Sequence, residues 1–185
     1  MPYDREALRQ LICDQALEFG DFQLASGKRA SFYLDCRRVT LDARGANLIG
    51  AGMLALLEPE LPAAVGGMAI GADPITAAVL TLAGQRNLPL KGFIVRKEAK
   101  EHGKGRMVEG PVAAGMTAVI VEDVVTTGGS SLRAIQLVES FGMKVQRVLA
   151  IVDRLEGGRE AFAQAGYELT SLFTVRDLGV QPTEI

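Results

Sequence analysis

The chain has 185 residues, enough for one domain with a substantial core. Its 48% hydrophobic and 23% charged residues suit a globular protein, and a net charge of −2 leaves no reason to invoke nucleic acid or an anionic membrane as partner. No uninterrupted apolar stretch is long enough to span a bilayer, and the charged start, Met1 to Glu6, leads into a helix pattern rather than a secretory leader. Cys13 and Cys36 follow no zinc spacing and imply no disulfide, so the cytoplasm is the expected compartment.

Asp4 is placed to cap a first helix with Leu8, Leu11, Ile12, Ala16 and Phe19 on one face and Gly20 as its stop. Residues 22–24 and 31–35 read as two short strands about a Ser26-Gly27 turn. Asp42 opens a second helix, ended by Pro59 and Pro62. The chain then alternates. A strand is expected at 65–70, a helix at 74–83 and a strand at 92–96, before a glycine-rich polar loop at about 97–110. Next come a strand at 117–122, a helix at 129–140, a strand at 145–152, a short helix at 159–164 and a last strand at 169–175. This alternation predicts an α/β fold with a mostly parallel central sheet covered by helices on both faces.

The most informative junction is Val119-Ile120-Val121-Glu122-Asp123-Val124-Val125-Thr126-Thr127-Gly128-Gly129-Ser130. A branched apolar run reads as a buried strand, and an amphipathic helix follows, with Leu132, Ile135, Leu137 and Val138 available to face a core. The turn between them lies where ligands bind in parallel α/β sheets. Backbone N–H groups of Thr126, Thr127, Gly128, Gly129 and Ser130 can hold a phosphate. Glu122 and Asp123 suit sugar hydroxyls or water on a metal ion, so the junction points to a sugar phosphate. The plainer alternative is a helix start capped by its own Thr and Ser.

No lysine follows the glycines, so this is not a Walker A loop and its cations must come from elsewhere. Arg96, Lys97, Lys100 and His102 can supply them at another strand's end. Cations there can stabilise a departing diphosphate, and His102 can give it a proton. A solvated charged loop, balanced by Glu98 and Glu101, is the alternative. Another strand–turn–helix junction runs from Gly66 to Pro74, with Ala72 and Asp73 just before a proline suited to a first helical turn. Arg154 ends a further strand, free to fork onto a carboxylate or to pair with Asp153 or Glu156.

The segment from Glu122 to Ser130 resembles the 5-phosphoribosyl diphosphate (PRPP) motif of type I phosphoribosyltransferases. Arg96-Lys97-Glu98-Ala99-Lys100-Glu101-His102-Gly103 is similar to the mobile-loop motif of the orotate phosphoribosyltransferase family. Phe22-Gln23-Leu24-Ala25-Ser26-Gly27 and Ser31-Phe32-Tyr33-Leu34-Asp35 resemble that family's amino-terminal hairpin. The resemblance implies a single domain, 1–185, of type I phosphoribosyltransferase-like fold, with a small hood at about 1–40 and a mobile loop at about 97–110.

It further implies transfer of phosphoribose from PRPP to orotate, giving orotidine 5′-phosphate and diphosphate in pyrimidine (UMP) biosynthesis. Lys100, His102 and Asp123 would be catalytic. The ribose 5-phosphate would sit on the Thr126–Ser130 loop, with Glu122, Asp123, Val124 and Val125 alongside the ribose. Ala72 and Asp73, with Arg96, Lys97, Lys100 and His102, would meet the diphosphate. Orotate would meet Arg154, Thr126, Phe32 and Tyr33, one of the two rings serving as core. Mg2+ would be held through PRPP and water, with no direct protein ligand. The resemblance also implies a homodimer whose loop reaches the neighbouring site. Ala25 departs from the family, where many relatives carry a lysine, and Lys28 or Arg29 stand nearby. A phosphoribosyltransferase for another base and a non-catalytic PRPP-binding regulator are the competing readings. The Lys100–His102 loop and Arg154 weigh against the first, and the loop residues with the slightly negative net charge against the second.

Overall fold

The computed structural model describes residues 3–23, 29–98 and 106–182. Helix α1, Arg5–Gln15, starts where Asp4 accepts a hydrogen bond from the Ala7 N–H at 3.0 Å. Strands β1, Leu17–Gln23, and β2, Arg29–Leu34, form an antiparallel pair apart from the main sheet. A short helix α2, Arg37–Thr40, leads to α3, Ala43–Leu57, whose Asp42 cap accepts from the Gly45 N–H at 2.8 Å. Then follow β3, Ala64–Met68; α4, Ala72–Gln85; β4, Lys91–Val95; and β5, Val108–Glu109. The chain continues with β6, Thr117–Val125; α5, Gly129–Ser140; β7, Lys144–Asp153; α6, Gly158–Gln164; and β8, Leu169–Thr174.

The six-stranded sheet has the order β5-β4-β3-β6-β7-β8, parallel except for β5 against β4. After β3 the chain builds outward to β4 and β5. It then returns to the other side of β3 to lay down β6, β7 and β8. The order therefore reverses between β3 and β6, which opens a crevice at their carboxyl ends.

Period-two alternation in β6 supplies both cores. Val119 and Val121 join one cluster with Ile12 of α1, Met53 of α3 and Val79 of α4. Ala118 and Ile120 join the other with Ile135 of α5 and Phe162 of α6. Both faces of the sheet are thus covered, as the near-continuous apolar strands predict. Gly66 and Gly67 of β3 permit the tightest strand contacts. A β-carbon on Gly66 would overlap the Phe93 carbonyl, and one on Gly67 the Val121 carbonyl.

Four elements differ from expectation. The first helix stops at Gln15, and Phe19 lies in β1, 72% exposed, rather than on a buried helix face. Pairing of Leu17 with Leu34 and Phe19 with Phe32 overrides the helical spacing of the apolar residues. Helix α2 is too short to show a period. Strand β5 falls inside the segment expected to be all loop, paired through Val95 and Val108. Strand β6 runs three residues beyond its expected end, through both acids to Val125, because β7 pairs with it as far as Asp153.

Candidate active site

At the sheet's switch point a cleft of about 300 Å³ opens between the carboxyl ends of β3 and β6 and the segment after β2. Its walls include Ala69, Ile70 and Gly71 from the β3–α4 turn, Glu122, Asp123 and Ser130 from the β6–α5 junction, and Lys97 beyond β4. Tyr33, Asp35 and Arg37 close it from the hairpin side. The Ala69–Ile70 peptide bond is cis.

The two acids lean different ways. Glu122, only 7% exposed, accepts a 2.8 Å hydrogen bond from the Ser131 hydroxyl in the first turn of α5. Burial, then the neighbouring Asp123 charge, pushes the Glu122 carboxyl up to about 7, although the Ser131 bond pulls the other way. Asp123 accepts from the Val124 N–H at 2.9 Å and lies against Gly71, where a β-carbon would come within 3.0 Å of its Oδ1. The crevice therefore brings together an acid pair and a turn on which a side chain would press against Asp123.

Below the acids, Thr126 to Ser131 line a smaller pocket of about 90 Å³ that Glu122 also borders. Gly128 caps α5 at φ +82°, a left-handed conformation natural to glycine, and no side chain caps the helix. The first-turn N–H groups of α5 have no intrahelical acceptors and carry the positive end of the helix dipole. Such a helix start is chemically suited to an anion. Val124 borders both the cleft and this pocket, and Val125 is buried beneath it.

The cations divide. Lys97 reaches the cleft, and its carbonyl accepts from Arg133 at 2.8 Å. Arg96 pairs with Glu109 of β5 at 3.2 Å and is not among the residues lining the cleft. Lys100 and His102 lie outside the described residues, as do Ala25, Ser26 and Lys28. Ala72 is fully buried, and Asp73 lines a separate, largely apolar cavity of about 440 Å³ with Thr76, Phe93 and Gly110. The structure thus directs neither side chain to the cleft, and the β3–α4 turn meets it through Ala69 to Gly71 instead.

Arg154 is buried, stacks 4.5 Å over the Phe32 ring and donates from Nε to Glu156 at 2.9 Å. Its Nη2 lies 2.8 Å from the same Glu156 oxygen but makes no aligned hydrogen bond. Phe32 is the core ring of its pair, while Tyr33 is partly exposed at the cleft.

Sequence reasoning missed two contributors. Arg37 is fixed by Asp35 through bonds of 2.7 and 3.0 Å and puts a cation on the hairpin wall. An acid followed two residues later by arginine, just past a strand, was the available signal. Ser131 was the other, and a single serine after a Gly-Gly-Ser turn gives no sequence signal of its own.

A family model for the phosphoribosyl transferase domain matches residues 67–164, spanning the cleft turn, the acid pair and Arg154. An orotate phosphoribosyltransferase from Rhodopirellula baltica is 58% identical, with 97% of this chain and 96% of the relative covered. The chain belongs to the orotate phosphoribosyltransferase family. Family members of known structure share the fold. The Mycobacterium tuberculosis orotate phosphoribosyltransferase solved with Fe(III) dicitrate superposes with a TM-score of 0.84 at 36% identity, covering 95% of this chain and 99% of that one. The same enzyme solved with 5-phospho-α-D-ribosyl 1-diphosphate gives 0.80 at 32% identity, with the same coverage. Among the described residues, no helix is long and apolar enough to cross a membrane.

Proposed function

We propose that this chain transfers the 5-phosphoribosyl group of PRPP to orotate, yielding orotidine 5′-phosphate and diphosphate for UMP synthesis. The observation that carries this reading is the acid pair Glu122–Asp123 standing over the uncapped α5 terminus at the sheet's switch point. A 5-phosphate on the Thr126–Ser130 cradle puts the ribose hydroxyls beside the two carboxylates. The diphosphate then extends toward the Ala69–Gly71 turn and Lys97.

The orotate ring nitrogen forms a bond to C1 of the ribose as the C1–O bond to diphosphate breaks, and the electron pair leaves with the diphosphate. Positive charge builds on the ribose ring, and Glu122 and Asp123 face that charge. Lys97, with Lys100 and His102 of the following loop, neutralises the leaving group, and His102 supplies its proton. Arg154 is the cation for the orotate carboxylate, which would take the place of its Glu156 partner, with Thr126 and Tyr33 near the ring. No protein nucleophile is required. Positioning and exclusion of water supply most of the rate.

Mg2+ fits this donor set. Two adjacent carboxylates suit its water shell. When bound, it would offset charge on the diphosphate and the ribose oxygens. The reading includes a homodimer in which the mobile loop, about 97–110, reaches the neighbouring site, and a cytoplasmic setting supported by the free thiols Cys13 and Cys36.

The deciding assay is the loss of orotate absorbance on adding PRPP and magnesium. Turnover that needs both is expected. No turnover by freshly folded protein, or turnover of another base in a panel in place of orotate, would overturn the reading.

A further inference from the structure

Ser131 is 1% exposed, yet its hydroxyl is not a helix cap and serves no backbone turn. It spends its hydrogen bond on Glu122, at 2.8 Å. Glu122 borders the cleft and also the small pocket under the Thr126–Ser131 segment, so it forms part of the wall between them. The bond fixes Oε2 against α5. It also joins the acid to the same helical turn whose N–H groups face the phosphate pocket.

We propose that Ser131 is a positioning residue, holding Glu122 in the orientation and ionised form that accepts the ribose hydroxyls of PRPP. This rests on the reading of the cleft as a PRPP site. Bonding to the charged carboxylate favours that form, while burial and the adjacent Asp123 disfavour it. The other titratable or charged groups among the described residues of the cleft are Lys97 beyond β4, and Tyr33, Asp35 and Arg37 on the hairpin wall. None of these hydrogen-bonds Glu122; its partners are Asp123, through a side-chain bond that raises its carboxyl and a backbone bond that lowers it, and the Ser131 hydroxyl, the donor that reaches it from α5.

The test is PRPP kinetics from pH 6 to 9 on the wild type, Ser131→Ala, Ser131→Cys and Ser131→Thr, with a thermal midpoint for each. In Ser131→Ala the KM for PRPP rises roughly tenfold at pH 7, because a hydrogen bond to a charged group is lost. The loss shrinks at pH 9, where Glu122 ionises without help, and kcat changes less than KM. Ser131→Cys, close in size but a poor donor, follows alanine. Ser131→Thr, which keeps the hydroxyl, restores the wild-type pH profile. A wild-type KM profile in both the alanine and cysteine variants would refute the proposal. So would a loss equal at every pH and matched by a lowered midpoint, which marks a packing defect. Absence of PRPP-dependent orotate turnover in the wild type would instead overturn the assigned activity.

Discussion

The Arg154 guanidinium lies 4.5 Å over the ring of Phe32, so the end of β7 is clamped to the hairpin strand β2. The same arginine forms an ion pair with Glu156 at 2.8 Å while both side chains are largely buried. The stack on Phe32 holds the planar group in place, and a carboxylate ligand would replace Glu156 as its partner. Arg154→Lys keeps the charge but loses the fork and the stack. Steady-state kinetics should show KM for orotate rising roughly tenfold or more, with KM for PRPP changed by less than about threefold. Equal effects on both substrates would remove Arg154 from the orotate side.

Gly71 offers a contrast with Gly66. A β-carbon at Gly71 would meet only the Asp123 carboxylate, at 3.0 Å, and the backbone there is ordinary right-handed helix. Gly71→Ala should therefore fold with a near-normal thermal midpoint while kcat/KM for PRPP falls about tenfold, as Asp123 is pushed aside. Gly66→Ala drives a β-carbon into the Phe93 backbone carbonyl and should cost about 3 kcal/mol or more, seen as loss of soluble protein. Equal stability of the two variants would contradict the strand-packing argument.

Glu122 makes stability depend on pH. Its folded value of about 7 stands above the ordinary 4.5, so the folded chain keeps a proton that the unfolded chain releases. This contribution is fully present below about 4.5 and is lost as pH rises through 7. Glu122→Gln stays neutral and escapes the loss. Urea denaturation should find the variant more stable than wild type at pH 8, by at most about 3 kcal/mol, and nearly equal to it at pH 4. Its PRPP turnover should nonetheless fall. A stability difference independent of pH would count against an ionising Glu122.

Sharing of sites between subunits can be tested by mixing inactive chains. Lys100→Ala is expected to cut kcat by about a hundredfold or more and leave orotate binding nearly intact. Asp123→Asn is expected to be inactive through the other half of the site. If the loop serves the neighbouring subunit, a mixed dimer carries one site free of both changes, so unfolding and refolding the variants together should restore up to about a quarter of wild-type activity. No recovery despite mixed dimers on native mass spectrometry would mean that the loop serves its own chain.

The strand–helix alternation was legible because buried parallel strands and one-sided helices differ in period, and the capping acids Asp4 and Asp42 marked two helix starts correctly. Helix α5 fell on its expected residues because the glycine turn and the apolar spacing agree. Where local and long-range preferences conflict, the sequence misleads. Phe19 has helical spacing, but strand pairing with Phe32 takes it onto an exposed position.

By itself the sequence pointed to the kind of chemistry proposed for this site. It offered adjacent acids, a glycine-rich turn and cations on a separate loop, because these depend on residue type and short spacing. Only the tertiary structure decided which groups share one space. Asp73 turned to a different cavity, Arg37 entered the cleft, and Ser131 took Glu122 as its partner. Those outcomes depend on strand order and on which face of a strand or helix each side chain leaves, relations between segments far apart in the chain.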